Sequence, residues 1–362
     1  MFKHKKLKVA IIGTNGLPGK YGGWDQLVIH LTNNLRDKFN FLVYTSYTTI
    51  VGKPEYNGTQ LKKVPFKANG FQSIPYDIYS IIHALFVCDV LFICGTSGCV
   101  FLPIAKLFGK KIVLNPDGQE WKRGKWSKPI QLFLKVSEKW GVKSASIIVA
   151  DNVIIRKYLN EEYYKDSVLI EYGGDQVVKV DLSEVTAKKY NITKGKYAFK
   201  VCRIEPENNI DLILEAFSQK SEFPLVLIGN WKNSIYGIET RNKYAKYKHL
   251  NLLDPIYDQV TLDEIRCNCG IYVHGHSVGG TNPSLVEAMN LGLNIFAFDV
   301  NYNVETTENM AYYFDNVEQL QQLVSNYNTG VLLSNSLSML EIAKRRYLWS
   351  IITKKYSKVF SN

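Results

Sequence analysis

The stretch that decides the fold is Leu7-Lys-Val-Ala-Ile-Ile-Gly13-Thr-Asn-Gly16-Leu-Pro-Gly19-Lys-Tyr-Gly22-Gly23, followed by Trp24–Leu35. Leu7–Ile12 is a short apolar run that stops at a glycine. Trp24–Leu35 carries apolar residues at helical spacing: Leu27, Val28, Leu31 and Leu35. A strand, a glycine turn and a helix in succession are the opening unit of a parallel sheet covered on both faces. Working outward, Phe41–Tyr44, Val90–Cys94, Lys111–Leu114 and Ser146–Val149 read as further strands, with helical stretches such as Lys128–Val142 between them. The alternation restarts after Gly174. Tyr197–Val201, Leu225–Gly229, Leu250–Leu253, Gly270–His274 and Asn294–Phe298 read as strands, and Asp211–Phe217 and Pro283–Leu291 as helices. Pro283 stands near a helix start, where a missing N–H does no harm. The fold class predicted is therefore α/β, with two tandem Rossmann-like, doubly wound domains. The boundary falls at the Tyr-Gly-Gly turn in Glu171–Asp175, and a C-terminal helix covers Ser338–Phe360.

Composition agrees. The chain has 362 residues, 46% hydrophobic and 21% charged, which suits two globular domains and excludes a disordered or fibrous chain. The net charge of +11 is unevenly spread: residues 1–175 hold 24 Lys and Arg against 14 Asp and Glu, a net +10, and residues 176–362 hold 20 against 19, a net +1. A one-sided basic half suits an anionic partner. The six cysteines, several inside apolar runs, do not form a secreted disulfide scaffold and point to a reducing compartment. The apolar run ending at Gly13 is too short for a signal-peptide core. Ser80–Leu107 is the longest apolar stretch, but His83, Asp89, Gly95, Gly98 and Pro103 interrupt it, where a membrane span wants about 20 apolar residues in a row.

Ligands of such sheets bind outside the carboxyl ends of the strands. Four segments lie there. The first glycine loop, Gly13–Gly23, can cradle a phosphate. Its G-x-x-G-x-x-G spacing, and the Tyr44-Thr45-Ser46 strand end without an acidic residue, disfavour a dinucleotide fold. His274-Gly-His-Ser-Val-Gly-Gly-Thr-Asn-Pro-Ser-Leu-Val-Glu287 is a strand end, a glycine turn and a helix start, suited to a diphosphate, with Glu287 placed to reach sugar hydroxyls. Asn115-Pro-Asp117-Gly-Gln-Glu120-Trp121-Lys122-Arg123-Gly-Lys125-Trp126 gathers carboxylates, cations and indoles that suit a phosphorylated sugar. Arg203, in Val201-Cys-Arg-Ile-Glu-Pro-Glu-Asn, can fork onto a diphosphate or pair with Glu205 or Glu207. Cys267-x-Cys269 and His274-x-His276 match no common zinc spacing, and no Asp-x-Asp pair offers a grip on a metal–nucleotide complex.

These motifs resemble the retaining nucleotide-sugar glycosyltransferases of GT-B fold, family 4, and within it the bacterial rhamnosyltransferases of capsule and cell-wall polysaccharide synthesis. The resemblance covers nearly the whole chain. It implies two domains facing a cleft: 1–175 binding the acceptor, 176–340 binding the nucleotide sugar, and a final helix, 341–362, crossing back to the first. It implies that Arg203 and the N–H groups at Thr281, Asn282 and Ser284 hold the diphosphate, that Glu287 holds the ribose, and that Gly22 and Gly23 close on the phosphates. Asp117 and Glu120 would lie near the reacting sugar, with Trp121, Lys122, Arg123 and Trp126 on the acceptor loop. Two departures stand out. The family's lysine five residues after the arginine is Asn208 here, and the carboxylate eight residues before Glu287 is Gly279.

The expected activity is transfer of L-rhamnose from dTDP-rhamnose, without metal or other cofactor, onto a lipid-pyrophosphate-linked saccharide; a UDP- or GDP-sugar is the alternative donor. The basic N-terminal half fits an enzyme held at the anionic inner face of the plasma membrane, with Lys3, Lys5, Lys6, Lys8, Lys62, Lys63, Lys110, Lys111 and Lys122 as candidate contacts. A nucleic-acid partner is not expected, since no helix-turn-helix, RNA-recognition or zinc-finger pattern appears. An NAD-dependent nucleotide-sugar enzyme is the remote alternative: Tyr244-x-x-x-Lys248 occurs, but far from the glycine loop.

Overall fold

Alternating apolar strands and glycine turns build two parallel sheets. The computed structural model describes residues 5–19, 22–49, 54–123 and 126–361. Lys3, the Lys20-Tyr21 pair of the glycine loop and Lys125 lie outside the described residues. The chain divides into two compact units, Met1–Tyr172 with Trp349–Asn362, and Gly173–Leu348.

In the first unit the strands are β1 (Lys8–Ile12), β2 (Asn40–Ser46), β3 (Glu55–Tyr56), β4 (Thr59–Val64), β5 (Val90–Cys94), β6 (Lys111–Asn115), β7 (Ile147–Ala150) and β8 (Val168–Leu169). Among the described residues their order is β3-β4-β2-β1-β5-β6-β7-β8, parallel except for the short β3 edge. Ile11 stands beside Val43 on one side and Phe92 on the other, all three buried. Helices α1 (Gly23–Leu35), α2 (Ser73–Val87), α3 (Leu102–Leu107), α4 (Lys128–Ser144) and α5 (Val153–Tyr163) complete this part of the chain. From β4 onward the chain steps along the sheet in one direction, so right-handed crossovers put α2, α3 and α4 on one face. The step from β1 to β2 runs the other way and puts α1 on the opposite face.

In the second unit the elements are α6 (Glu184–Tyr190), β9 (Ala198–Val201), α7 (Ile210–Ser218), β10 (Leu225–Ile228), α8 (Ile235–Tyr244), β11 (Leu250–Leu253), α9 (Gln259–Cys267), β12 (Ile271–His274), α10 (Pro283–Asn290), β13 (Ile295–Phe298), α11 (Asn301–Thr306), β14 (Tyr312–Phe314), α12 (Val317–Asn328) and α13 (Ser336–Arg346). The sheet order is β11-β10-β9-β12-β13-β14, all parallel. One core packs Ala198, Leu227 and Val273 of the sheet against Ile213 and Phe217 of α7 and Leu320 of α12.

One expectation is corrected. Ser338–Phe360 is not one helix. The chain leaves helix after α13 and resumes as α14 (Trp349–Ser361), which belongs to the first unit. The reason is local anchoring. Arg346 bonds Glu305 and Glu308, and the Tyr347 hydroxyl donates to the Thr306 carbonyl, which fixes the end of α13 in the second unit. Trp349 then stacks on His30 at 4.1 Å, and Phe360 packs edge-on against Phe39 and Phe92. The apolar stretch Ser80–Leu107 is the end of α2, strand β5 and helix α3, and among the described residues no helix is long and apolar enough to cross a membrane.

Candidate functional site

β9 and β12 are neighbours in the middle of the second sheet, and the loops leaving them carry the donor-binding candidates. The two loops are tied together. The Ser277 N–H and hydroxyl both donate to the Glu207 carbonyl at 2.9 Å, and Asn209 Nδ2 donates to the Gly275 carbonyl at 2.8 Å. His276 Nδ1 lies 3.1 Å from Asn208 Oδ1. Gly275 permits the join: a Cβ there would stand 2.3 Å from the Asn208 carbonyl oxygen.

Arg203 is 53% exposed, and its guanidinium lies 3.5 Å from Glu205 and 3.8 Å from Glu207. Both sequence readings are thus compatible: these long, exposed pairs are weak, and an anionic ligand can recruit the guanidinium. At the start of α10 the structure narrows the expectation. Asn282 Oδ1 accepts from the Ser284 N–H at 3.0 Å and from its hydroxyl at 2.8 Å, and Pro283 has no N–H. The Ser284 N–H is therefore already used as a cap bond. Its hydroxyl also receives the Tyr272 hydroxyl at 2.9 Å. Asn282 and Ser284 shape the turn rather than present bare donors.

Glu287 is anchored rather than open. Its Oε1 accepts from Gln176 Nε2 at 2.6 Å, and its Oε2 meets the Arg266 guanidinium, which also bonds Asp263 Oδ1 at 2.7 Å. Burial raises the Glu287 carboxyl from its usual range, and Arg266 opposes that shift. Each oxygen keeps a second lone-pair direction, so the carboxylate can still accept from a ligand hydroxyl. Sequence reasoning missed Arg266. Asp263 and Arg266 stand three apart on α9, and both are buried.

It also missed Lys200. This lysine interrupts the otherwise apolar β9 and is only 1% exposed. Its ammonium would touch a Cβ on Gly275 at 3.1 Å, so it reaches the seam between the two loops. Among the described residues no hydrogen bond or ion pair to it is found. Burial holds its pKa below the usual lysine value. His274, also buried, is pushed well below its ordinary pKa, first by burial and then by Lys200, and stays neutral. Since Tyr272 donates its proton to Ser284, its oxygen is left to accept from His274 Nδ1 at 3.3 Å. That assignment leaves Nε2, which has no hydrogen-bond partner, with a lone pair. The signal for Lys200 was visible, since a parallel strand is buried on both faces and a lysine within one has no water to reach.

In the first unit, Gly13, with φ +98°, lies so close to β5 that a Cβ would meet the Cys94 carbonyl oxygen at 2.0 Å. Gly22 is the N-cap of α1 with open space around it, and Gly23 is the first helical residue. The loop after β6 folds on an ionic knot. Buried Arg123 bonds Glu120 through Nε at 2.8 Å and lies 3.9 Å from Asp117. Trp126 Nε1 donates to Glu120 Oε1 at 2.9 Å. Arg123, expected on the acceptor loop, ties the two candidate carboxylates together. Trp121 carries Lys122 and Lys135 over its ring at 5.2 and 4.6 Å, and its indole N–H points to the Tyr158 hydroxyl at 3.4 Å. Cys267 Sγ turns to the Val178 carbonyl at 3.1 Å, and among the described residues no group of three metal-ligating side chains gathers.

Comparison with known proteins adds to this geometry. Residues 6–175 match a domain of unknown function (DUF1972), and residues 183–326 match the glycosyl transferases group 1. No curated protein matches the chain. Among solved structures, the sucrose-phosphate synthase of Thermosynechococcus elongatus is similar at TM-score 0.81 and 14% identity, covering 98% of each chain. A glycosyltransferase of Rickettsia africae is similar at TM-score 0.76 and 13% identity, covering 99% of this chain and all of its own. The Anabaena protein HepE, solved with UDP and glucose, is similar at TM-score 0.74 and 14% identity, over 98% of this chain and 99% of that one. The fold is GT-B, with two Rossmann-like domains, and the protein is a glycosyltransferase with a group 1 domain in its second half.

Proposed function

We propose that this glycosyltransferase moves a sugar from a nucleoside diphosphate, with retention, onto a lipid-pyrophosphate-linked saccharide, and that the donor is dTDP-rhamnose. The observation that carries the donor class is the buried ammonium of Lys200 at the seam of the β9 and β12 loops. A buried charge without a counter-ion is costly, so such a site favours an arriving anion. Arg203, exposed beside it in sequence and only loosely paired, adds a second cation that can fork onto phosphate oxygens. Lys200 supplies the charge that the resemblance finds missing at Asn208.

As the glycosidic bond breaks, negative charge grows on the departing diphosphate. Lys200 and Arg203 stabilise that charge in place, before any rearrangement of water. Glu287, oriented by Arg266 and Gln176, holds the ribose hydroxyls. The departing phosphate takes the acceptor's proton on the face it leaves, which gives retention without a separate base. On the first unit, Asp117 and Glu120 are held by Arg123 and contact the reacting sugar, and Trp121, Lys122 and Trp126 form the acceptor loop. The rhamnose assignment and the lipid-linked acceptor rest on the motif resemblance. HepE is solved with UDP, which keeps a UDP-sugar as the second reading. The proposal places the enzyme on the inner face of the plasma membrane.

Thermal unfolding with dTDP, UDP, GDP and NAD in parallel tests the donor. A ligand at 100 times its dissociation constant adds about 2.7 kcal/mol, a shift of several degrees. Selective stabilisation by dTDP is the expected result. Stabilisation by UDP or GDP alone would overturn the rhamnose assignment, and a response only to NAD would overturn the whole reading.

A further inference from the structure

One face of the first unit exposes large apolar side chains without cover. On α2, Tyr79, Ile82 and Phe86 recur at helical spacing, and Phe86 is 72% exposed. On α3, Leu107 is 86% exposed, and the neighbouring Phe108 meets Phe86 edge-on at 6.0 Å. On α4, Leu132, Val136 and Trp140 form a third stripe, with Leu132 66% and Trp140 48% exposed. The three helices lie on the same side of the sheet, and α3 packs against both its neighbours. A surface of this kind marks an interaction site.

The charges on the same helices are one-sided. Lys106, Lys128, Lys135, Lys139 and Lys143 lie on α3 and α4. The two carboxylates of the three helices, Asp77 and Glu138, are both buried. Glu138 is taken up by the Tyr158 and Tyr163 hydroxyls at 2.5 and 2.6 Å. Lys135 pairs with Glu162 of α5 at 3.4 Å, which leaves the other four outside the ion pairs of this face. Of the lysines proposed from sequence, Lys6, Lys110 and Lys111 donate to the backbone carbonyls of Arg36, Cys88 and Phe360.

We propose that the α2–α4 face is the membrane-docking surface, with Phe86, Leu107, Phe108, Leu132 and Trp140 entering the interface of an anionic bilayer and Lys106, Lys128, Lys139 and Lys143 meeting its headgroups. This deepens the peripheral-membrane part of the proposed function and rests on that reading, not on the choice of donor. Charge decides the occupant. A second copy of this chain would set the same lysines against one another with no exposed acid on these helices to answer them. A bilayer with acidic lipids accepts both features at once: aromatic and aliphatic side chains favour its interface, and lysines its negative surface.

The test is co-sedimentation of the full chain with phosphatidylcholine vesicles, with and without one quarter phosphatidylglycerol, at low salt. Three proteins are compared: wild type, Phe86→Ser/Leu107→Ser/Trp140→Ser, and Lys5→Glu/Lys6→Glu. The substituted apolar residues are exposed, so folding is retained, and an unchanged melting temperature checks it. Wild type is expected to bind the anionic vesicles, the apolar variant to bind roughly tenfold less, and the Lys5/Lys6 variant to bind nearly as wild type. Brominated-chain lipids are expected to quench wild-type tryptophan emission, and Trp140→Phe to remove the quench. If wild type binds and the apolar variant binds equally, this surface is wrong while membrane attachment stands. If wild type does not bind, attachment and surface both fall, and the nucleotide assay remains to judge the donor reading separately. A concentration-dependent dimer abolished by the apolar variant, without vesicle binding, would assign the face to self-association and overturn the proposal.

Discussion

The two units carry net charge of opposite sign. The first holds 27 Lys and Arg against 13 Asp and Glu, a net +14, and on α3 and α4 it wears lysines outside while the carboxylates of α2 and α4 stay inside. The second holds 17 Lys and Arg against 20 Asp and Glu, a net −3, yet it buries Lys200, Asp263, Arg266 and His274 at or near the loops that leave its strands. Exposed charge of one sign acts at long range and suits a broad anionic surface. Buried charge acts at short range, costs stability, and is retained where a specific partner or ligand satisfies it. The first unit buries charge too, in Asp25, Asp77, Glu138, Asp151 and Glu171, but its one buried cation among the described residues is Arg123, whereas the second buries both Lys200 and Arg266.

The strongest way to break this contrast is Arg266→Met. It leaves Glu287 and Asp263 buried without their shared cation, and the expected loss of stability is about 3–5 kcal/mol in denaturant unfolding. Adding Glu287→Gln should recover part of that loss. A cost below about 1 kcal/mol would show that the buried cluster does not hold the second unit together.

Asp77 probes the first unit. Burial pushes its carboxyl up to about 8, and its Oδ1 has no hydrogen-bond partner. The folded value lies above the ordinary one of 3.8, so the contribution is fully present below about pH 4 and is lost as the pH rises through 8. Wild type is expected to lose roughly 2–4 kcal/mol between pH 5 and 9, and Asp77→Asn to lose much less. Equal slopes for the two proteins would mean that Asp77 is charged throughout, and the contrast between the units would weaken.

The smallest expected effect is the most specific. Lys200→Met should weaken nucleoside diphosphate binding about tenfold, roughly 1.4 kcal/mol, while leaving the unliganded protein as stable or more so. Calorimetry with the diphosphate and with the bare nucleoside separates the two contributions, since only the former should change. Loss of stability without loss of affinity would make Lys200 a structural residue.

Much of this was legible in the sequence. The alternation of apolar runs with glycine turns gave β5 and β11 to the residue, and most of the strands on either side of the glycine loops to within one or two. The candidate loops were found because ligands of parallel sheets sit at strand ends, and the ends of β1 and β12 were marked by Gly13 and Gly275. The thin edge strands β3 and β8 were not legible, since two residues cannot show a period. Nor was the break between α13 and α14: Tyr347 and Leu348 look helical locally, and the break exists because Arg346 and Tyr347 are bonded to α11.

By itself the sequence determined the fold class, the positions of the turns and the unequal charge of the two halves, because each is written in local spacing and composition. Only the tertiary structure decided which charges are buried and with whom. Arg123 became a clamp for two carboxylates, Glu287 gained Arg266 from another helix, and Lys200 came to lie under Gly275. It alone gathered the apolar stripes of three separate helices onto one lysine-bearing face. The physical reason is that electrostatic energy and apolar exposure depend on distance through space and on access to water, and neither quantity exists along the chain until the sheets have formed.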